Sequence, residues 1–368
     1  MKSITASDMN RIVAIHLLND YSGSPKVLMQ LLKTWTRKNI EAHLFTSGGS
    51  IGFLSDLPKV TRHLIWYRFS QNPLIRICNF FISQLFLMIK LLFFLRKEDT
   101  IYINTVLPFG AAVAGKLRGC KIIYHVHETS VKPKIFKDFL FGIARLTASK
   151  GVFVSDYLMK KEPFVKNQVL LYNVLEHEFA EKADKSYTQT IQEKAEPVIL
   201  MICSLKSYKG VDEFVKLAEI NNTYIFKLVL NASQKEIDAY FKDKTIPDHL
   251  KIYPAQKDTH SFYREASIIV NLSRPDQWVE TFGLTILEGM RYRLPAIVPP
   301  VGGITELVNE NKNGFLIDSS NLYELSGKIH YLMCNDEIYR SFSDSAYQKS
   351  LLFSEAYFEE TCVQLISN

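Results

Sequence analysis

Short runs of β-branched and aromatic residues alternate along this chain with longer segments in which apolar residues recur every three or four positions. The short runs predict strands at Arg11–Leu18, Ile40–Thr46, Arg62–Tyr67, Thr100–Ile103, Lys121–His125 and Gly151–Val154. The longer segments predict helices over 25–38, 73–97, 109–118 and 135–149. Beyond residue 197 the alternation restarts, with strands at Val198–Cys203, Tyr224–Leu230, Leu250–Tyr253, Ser267–Asn271, Pro295–Val298 and Gly314–Ile317. Helices are expected there over 209–220, 233–243, 258–265, 283–292 and 320–335, with final helical patterns in 336–368. Such alternation builds βαβ units on a parallel sheet. Because it occurs twice, the expected fold is α/β, with two Rossmann-like doubly wound domains. The expected division is 1–180, a charged linker at 181–196, a second domain at 197–345, and a C-terminal helix in 346–368 packing back on the first domain. Ligands of open parallel sheets bind beyond the carboxyl ends of the strands, so chemistry is expected in a cleft between two facing sheets.

One segment departs from ordinary amphipathicity. Ile77–Leu95 is almost wholly apolar and close to bilayer-spanning length. Its polar neighbours Arg76, Asn79, Ser83, Lys90 and Lys97 nevertheless fall within an arc of about 60° on a helix. Three readings are open: a core helix on the sheet, a core helix that also docks on a membrane surface, and a true span. The basic residues Arg62, Arg68, Arg96 and Lys97 favour the second over the third.

Composition narrows the picture further. The chain has 368 residues, 47% hydrophobic and 22% charged, which excludes disorder, collagen-like repeats and a polytopic membrane protein. The net charge of +6 conceals an asymmetry: residues 1–185 hold 26 Lys+Arg against 14 Asp+Glu, and residues 186–368 hold 18 against 24. A basic half can meet anionic lipid or a phosphorylated substrate. Nucleic acid is not expected, because no stacking motif is interleaved with the charge. The five cysteines form no CxxC pair, which argues against a disulfide framework or a cysteine zinc site. With a polar start, MKSITASDMNR, lacking a signal-peptide core, a cytoplasmic protein is expected.

The densest chemical signal is Trp278-Val-Glu280-Thr-Phe-Gly283-Leu-Thr-Ile-Leu-Glu288. Gly283 opens a predicted helix just after a strand and its loop, where free N–H groups and the helix dipole favour an anion such as phosphate. Glu280 stands beside that anion, and Glu288 can accept hydrogen bonds from vicinal sugar hydroxyls. Read alone, both carboxylates are equally solvated helix charges. Glycines at 302 and 303 allow close backbone approach or an ordinary turn.

Here the chain resembles family 4 of the retaining glycosyltransferases. The carriers are Glu280-Thr-Phe-Gly283 with Glu288, Leu294-Pro295-Ala-Ile-Val-Pro, Val301-Gly302-Gly303-Ile-Thr-Glu306 and Asn313-Gly314-Phe-Leu. The resemblance implies a GT-B fold, a nucleoside-diphosphate sugar as donor, and no metal or other cofactor. It implies donor contacts from Phe282, Gly283, Leu284, Thr285 and Glu288. Upstream, Cys203-Ser204-Leu205 to Lys209-Gly210 is similar to the family's glycine-arginine-leucine and lysine-glycine segment. Lys209 matches as the diphosphate cation, whereas Cys203 and Ser204 replace the glycine and arginine. Gly23, in the loop after the first strand, matches one of two family glycines. His127-Glu128 match a histidine and acid near the transferred sugar, where His127 would donate a hydrogen bond to a hydroxyl; His125 is expected to point elsewhere. A metal at the histidines lacks a third ligand.

The resemblance thus implies a retaining, metal-independent hexosyltransferase in which His127, Lys209 and Glu280 carry the chemistry. The resemblance and the basic, apolar front half jointly suggest as acceptor a glycan or lipid-linked glycan of bacterial surface polysaccharide at the inner membrane face, to which the segment 73–97, read as a docking helix, would make a peripheral contact. A sugar-nucleotide epimerase or phosphorylase, and a non-catalytic nucleotide-sugar-binding protein, remain open.

Overall fold

The computed structural model describes residues 11–49, 51–163, 167–186 and 196–366. Seven strands form the first sheet: β1 (Ile12–Ile15), β2 (Ala42–Ser47), β3 (Val60–Ile65), β4 (Thr100–Asn104), β5 (Lys121–Val126), β6 (Lys150–Phe153) and β7 (Gln168–Leu170). Their order is β3-β2-β1-β4-β5-β6-β7 and every pairing is parallel. Helices α1 (Gly23–Arg37), α2 (Pro73–Phe94), α3 (Phe109–Arg118), α4 (Lys134–Thr147) and α5 (Asp156–Lys161) make the crossovers. A parallel sheet covered on both faces needs strands apolar on both sides, and every residue of β1 and β4 is buried.

The second sheet holds β8 (Val198–Ser204), β9 (Ile225–Asn231), β10 (Leu250–Tyr253), β11 (Ile268–Val270), β12 (Ala296–Val298) and β13 (Gly314–Leu316). Its order is β10-β9-β8-β11-β12-β13, again parallel. Around it lie α6 (His177–Lys185), α7 (Val211–Glu219), α8 (Gln234–Phe241), α9 (His260–Glu265), α10 (Leu284–Arg291), α11 (Leu322–Met333) and α12 (Asp336–Ser350). Its core joins Phe214, Phe226 and Phe315 to Leu325 and Ile329. Local signals set several helix starts: Ser233 and Glu236 form a capping box on α8, and Asn321 caps α11.

The chain divides into two compact units after Tyr172 and again before Ala356. The last helix, α13 (Glu355–Ile366), therefore belongs mainly to the first unit. There the Trp35 indole donates to the Cys362 carbonyl at 3.1 Å and Arg37 pairs with Glu359 at 2.5 Å. The segment read as a linker starts inside a helix, because 181–185 complete α6, and Asp184 pairs with Arg291 of α10 at 2.6 Å. Its residues 187–195 lie outside the described residues. Neither β7, α5 nor α6 was legible in the pattern; each spans fewer than three helical turns or a single half-buried edge.

Helix α2 begins where Asn72 accepts from the Leu74 amide at 2.9 Å and Pro73 supplies the first turn. By length and composition it is the one helix among the described residues able to cross a membrane. It buries only Phe80, Ser83, Gln84, Leu87 and Leu91. The polar stripe therefore does not mark the outer side: Ser83 is buried, and the apolar bulk of the helix faces away from the fold.

Candidate active site

Three loops of the second unit meet at the carboxyl ends of β8, β11 and β12. After β8 the chain makes a 3₁₀ turn at Ser207–Lys209 and enters α7 through Gly210. After β11 comes the loop that carries Ser273, Trp278 and Glu280, and after β12 the loop of Gly302. Glycine is required at 302 twice over. Its φ is 109°, and a Cβ there would stand 2.3 Å from the Glu280 carbonyl oxygen. The two loops thus touch through backbone, which fixes where Glu280 sits.

Lys209 and Glu280, neighbours in space though 71 residues apart, form an ion pair with both side chains about one-seventh exposed (15% and 14%). The Ser273 hydroxyl donates to the same carboxylate oxygen at 3.0 Å. Burial raises the Glu280 pKa, yet Lys209, Ser273 and Asn271 together hold it below the ordinary carboxylate value. The Lys209 ammonium also lies 4.8 Å from the Trp278 ring, which stacks on Tyr208 at 5.2 Å. The Trp278 indole N–H is buried without an acceptor among the described residues. Cys203, at the end of β8, is kept a neutral thiol: burial drives its pKa up to about 12, and Glu280 adds to burial against the pull of Lys209. Neither other cation of these loops replaces the absent arginine directly: Lys206 is exposed, and Arg274 is bound to Glu213 at 2.7 Å.

Gly283 precedes α10 with φ 98° and no side chain caps the helix. The first turn carries no acidic residue, so the amide end of the helix is electrostatically positive beside Lys209 and Glu280. Leu284 and Thr285 are half-buried at this end. Phe282 is different: its ring is buried edge-on to Phe353 at 5.6 Å, so its backbone is what it offers outward. Glu288 is 6% exposed and accepts a 2.5 Å hydrogen bond from the Tyr263 hydroxyl. Sequence reading anticipated a hydroxyl on this carboxylate but not this tyrosine. Tyr263 is held in turn by stacking on Tyr292 at 5.6 Å.

The first unit has its own cluster where β4 and β5 end. His127 Nε2 lies 2.8 Å from Asn104 Oδ1. The Asn104 amide nitrogen donates to the Ser24 carbonyl, which can only accept, so Oδ1 faces His127. His127 therefore carries its proton on Nε2 and gives it to Asn104, leaving Nδ1 as the ring's acceptor. His125 does not point elsewhere: residues two apart share a strand face, and the two rings lie 4.1 Å apart. The Tyr102 hydroxyl lies 2.9 Å from His125 Nδ1.

Burial lowers every histidine of this cluster, His16 to about 4 and His125 to about 3, and places His127 well below its ordinary value with its neighbours adding to the effect. Burial raises Glu128 to about 7, although the amides of Val106 and His127 donate to it at 3.0 Å. Thr105, between Asn104 and these amides, has φ 76°. A β-branched residue there is strained, as backbones at functional sites often are. Gly23 opens α1 with an ordinary φ and nothing within 4 Å of a Cβ, so only room distinguishes it from alanine. No group of three or more His, Cys, Asp or Glu side chains among the described residues could hold a metal ion.

Residues 184–349 match the family described as glycosyl transferases group 1, a span holding every motif from Cys203 to Gly314. An uncharacterized glycosyltransferase of Haemophilus influenzae is 33% identical over 172 residues, 45% of this chain. The matched segment spans 46% of that relative's length. The N-acetyl-alpha-D-glucosaminyl L-malate synthase of Bacillus anthracis is 23% identical, with 88% of each chain covered. Among solved structures, Anabaena HepE in complex with UDP and glucose superposes with a TM-score of 0.78 at 17% identity, covering 98% of this chain and all of that one. The shared fold is GT-B.

Proposed function

With residues 184–349 matching the family described as glycosyl transferases group 1 and the fold that of GT-B, we propose that this protein moves a sugar from a nucleoside diphosphate to an acceptor hydroxyl. The observation that carries the reading is the convergence of Lys209, Glu280 and the uncapped end of α10 at strand ends of one sheet. Such a site suits a diphosphate. The ammonium and the helix amides would meet the charge that builds as the leaving group departs, and one good preorganised donor is worth about 2.7–4 kcal/mol. Lys209 would then exchange Glu280 for phosphate on binding. Glu288 and Tyr263 would hold donor hydroxyls.

The Glu280 carboxylate is held by Lys209 and the Ser273 hydroxyl, which lowers its nucleophilicity and favours a front-face route with retention over double displacement. The anomeric carbon–oxygen bond to phosphate breaks, the acceptor oxygen bonds on the same face, and its proton passes to the departing phosphate. Transfer is metal-independent in this reading, the sugar is a hexose, and His127 contacts a hydroxyl of the transferred sugar. Names of relatives support the class: HepE was solved with UDP-glucose, and a poly(ribitol-phosphate) alpha-N-acetylglucosaminyltransferase of Staphylococcus aureus is 22% identical over 46% of this chain. The acceptor proposed is a glycan on a lipid carrier for surface polysaccharide, met by an enzyme peripheral to the inner membrane face.

A second reading, nucleotide-sugar binding without transfer, draws on Ser204 standing where the family has an arginine and on Glu280 already neutralising Lys209. A thermal-shift screen of nucleoside-diphosphate sugars tests both. A ligand at a hundred times its dissociation constant stabilises by about 2.7 kcal/mol. Binding with turnover or donor hydrolysis supports transfer, binding alone supports the second reading, and no shift with any donor removes both.

A further inference from the structure

We propose that the outward face of α2, with the β3–α2 connection beside it, lies on an anionic lipid bilayer with the helix axis in the membrane plane. The helix buries only Phe80, Leu87 and Leu91 of its many apolar side chains. Its protein side holds the two amide and hydroxyl residues Ser83 and Gln84: the Ser83 hydroxyl donates to the Phe80 carbonyl at 2.6 Å, and Gln84 Oε1 accepts from the Gly110 amide at 3.2 Å. At 100° per residue the opposite arc of about 180°, from Ile77 through Leu85 to Phe86, holds no charged or amide side chain. Its most apolar window has a mean hydropathy of 2.0 and is only 28% buried. Phe93 is 90% exposed and Leu74 75%.

The apolar surface continues onto neighbouring elements. Trp66 lies 6.2 Å from the Phe86 ring, and Phe139 of α4 lies 5.9 Å from Phe81. A contiguous patch of this kind on a folded unit marks an interaction site. Charge identifies the occupant. From Leu57 to Lys97 the chain has seven Lys or Arg and no Asp or Glu. Two of these cations are tied to the rim by their side chains, and the backbone of a third anchors Asn79 there. Arg76 lies over the Phe69 ring at 5.6 Å, Lys90 donates to the Leu64 carbonyl at 2.9 Å, and the Arg68 carbonyl accepts from Asn79 at 2.8 Å. An apolar face edged by cations fits acyl chains beneath anionic headgroups. A second copy of the chain fits poorly, since the same cation-rich rim would meet itself. A span fits poorly too, because removing the helix from the fold would break the Gln84–Gly110 contact and put the Gln84 amide in hydrocarbon.

This inference deepens the proposal of a membrane-borne acceptor, but its test needs neither donor nor acceptor. The full chain is floated with vesicles of two parts phosphatidylcholine to one part phosphatidylglycerol at low salt. The expected result is co-flotation that weakens with added salt and on phosphatidylcholine alone. The double variant Phe86→Glu, Phe93→Glu, both exposed positions, is expected to lose roughly a hundredfold in partitioning with an unchanged circular dichroism spectrum. Independently, adding vesicles should blue-shift the emission of the native chain, and Trp66→Phe should abolish that shift. No flotation of the native chain, flotation retained by the double variant, or a solution dimer split by it with no vesicle binding would each overturn the inference. Transfer to a soluble acceptor by the double variant separates failure here from failure of the proposed reaction.

Discussion

Replacing Lys209 by methionine is expected to reverse the pH dependence that Glu280 gives to stability. In the native chain Glu280 ionises below 4.5 because Lys209 and Ser273 outweigh burial. A carboxyl depressed on folding contributes stability above its unfolded pKa, and that contribution is lost as pH falls through the folded value. Without the cation, burial is opposed only by neutral hydrogen bonds, and the folded pKa rises above 4.5. The same carboxyl then costs stability as pH rises from about 4.5 toward neutrality. Two unit charges about 4 Å apart in an effective dielectric of about 20 attract by about 4 kcal/mol. Removing one partner of a buried pair costs about 3–5 kcal/mol. Since both side chains are about 15% exposed, the lower end, about 3 kcal/mol near neutral pH, is the expected loss. Urea denaturation of the native chain, Lys209→Met, Glu280→Gln and the double variant, followed from about pH 4 to about pH 7, measures it. The native and Lys209→Met curves should converge at acid pH, and the double variant should be more stable than Lys209→Met at neutral pH. Curves that run parallel across the range would refute the ion-pair argument.

The remaining expectations concern other residues of the two clusters. Glu288→Ala should weaken nucleotide-sugar binding by roughly tenfold or more, and Tyr263→Phe by less, since a hydrogen bond to a charged group is worth about 1.5–3 kcal/mol; calorimetric titration giving equal affinities for all three proteins would remove Glu288 from the site. Gly302→Ala must adopt φ 109° and move the Glu280 carbonyl, so a loss of about 1–3 kcal/mol in stability, together with donor affinity, is expected from paired melting and binding measurements. The first unit should lose stability progressively as pH falls from about 6.5 toward the folded values of about 4 and about 3 for His16 and His125. His16, His125 and His127 have folded pKa values below the unfolded one, so their contribution is present above 6.5 and lost as pH falls. Glu128, raised from 4.5 to about 7, acts oppositely, with a contribution present below 4.5 and lost as pH rises through 7. Glu128→Gln should therefore steepen the acid loss, and hydrogen exchange in β4 and β5 reads it.

Much of the architecture was written in one-dimensional periodicity. Strand β4 appears where the apolar run Thr100–Ile103 placed it, because a strand buried on both faces needs an almost unbroken apolar run. That Lys209, Glu280 and Gly283 lie at one end of the sheet follows from their places after strands, whereas the ion pair between Lys209 and Glu280 was not legible in the sequence. Elements too short to show a period, β7 and α5, were not legible. Tertiary structure alone decided the partners: Tyr263 on Glu288 and Asn104 on His127 join residues 25 and 23 apart, which no local pattern encodes. It also decided which side of α2 turns inward. Hydropathy specifies what each face of a helix contains. Packing put the Gln84 side inward, where Gln84 Oε1 accepts from the Gly110 amide at 3.2 Å, a contact that apolar side chains on the other face could not make, and where the absence of a Cβ at Gly110 lets the two backbones meet.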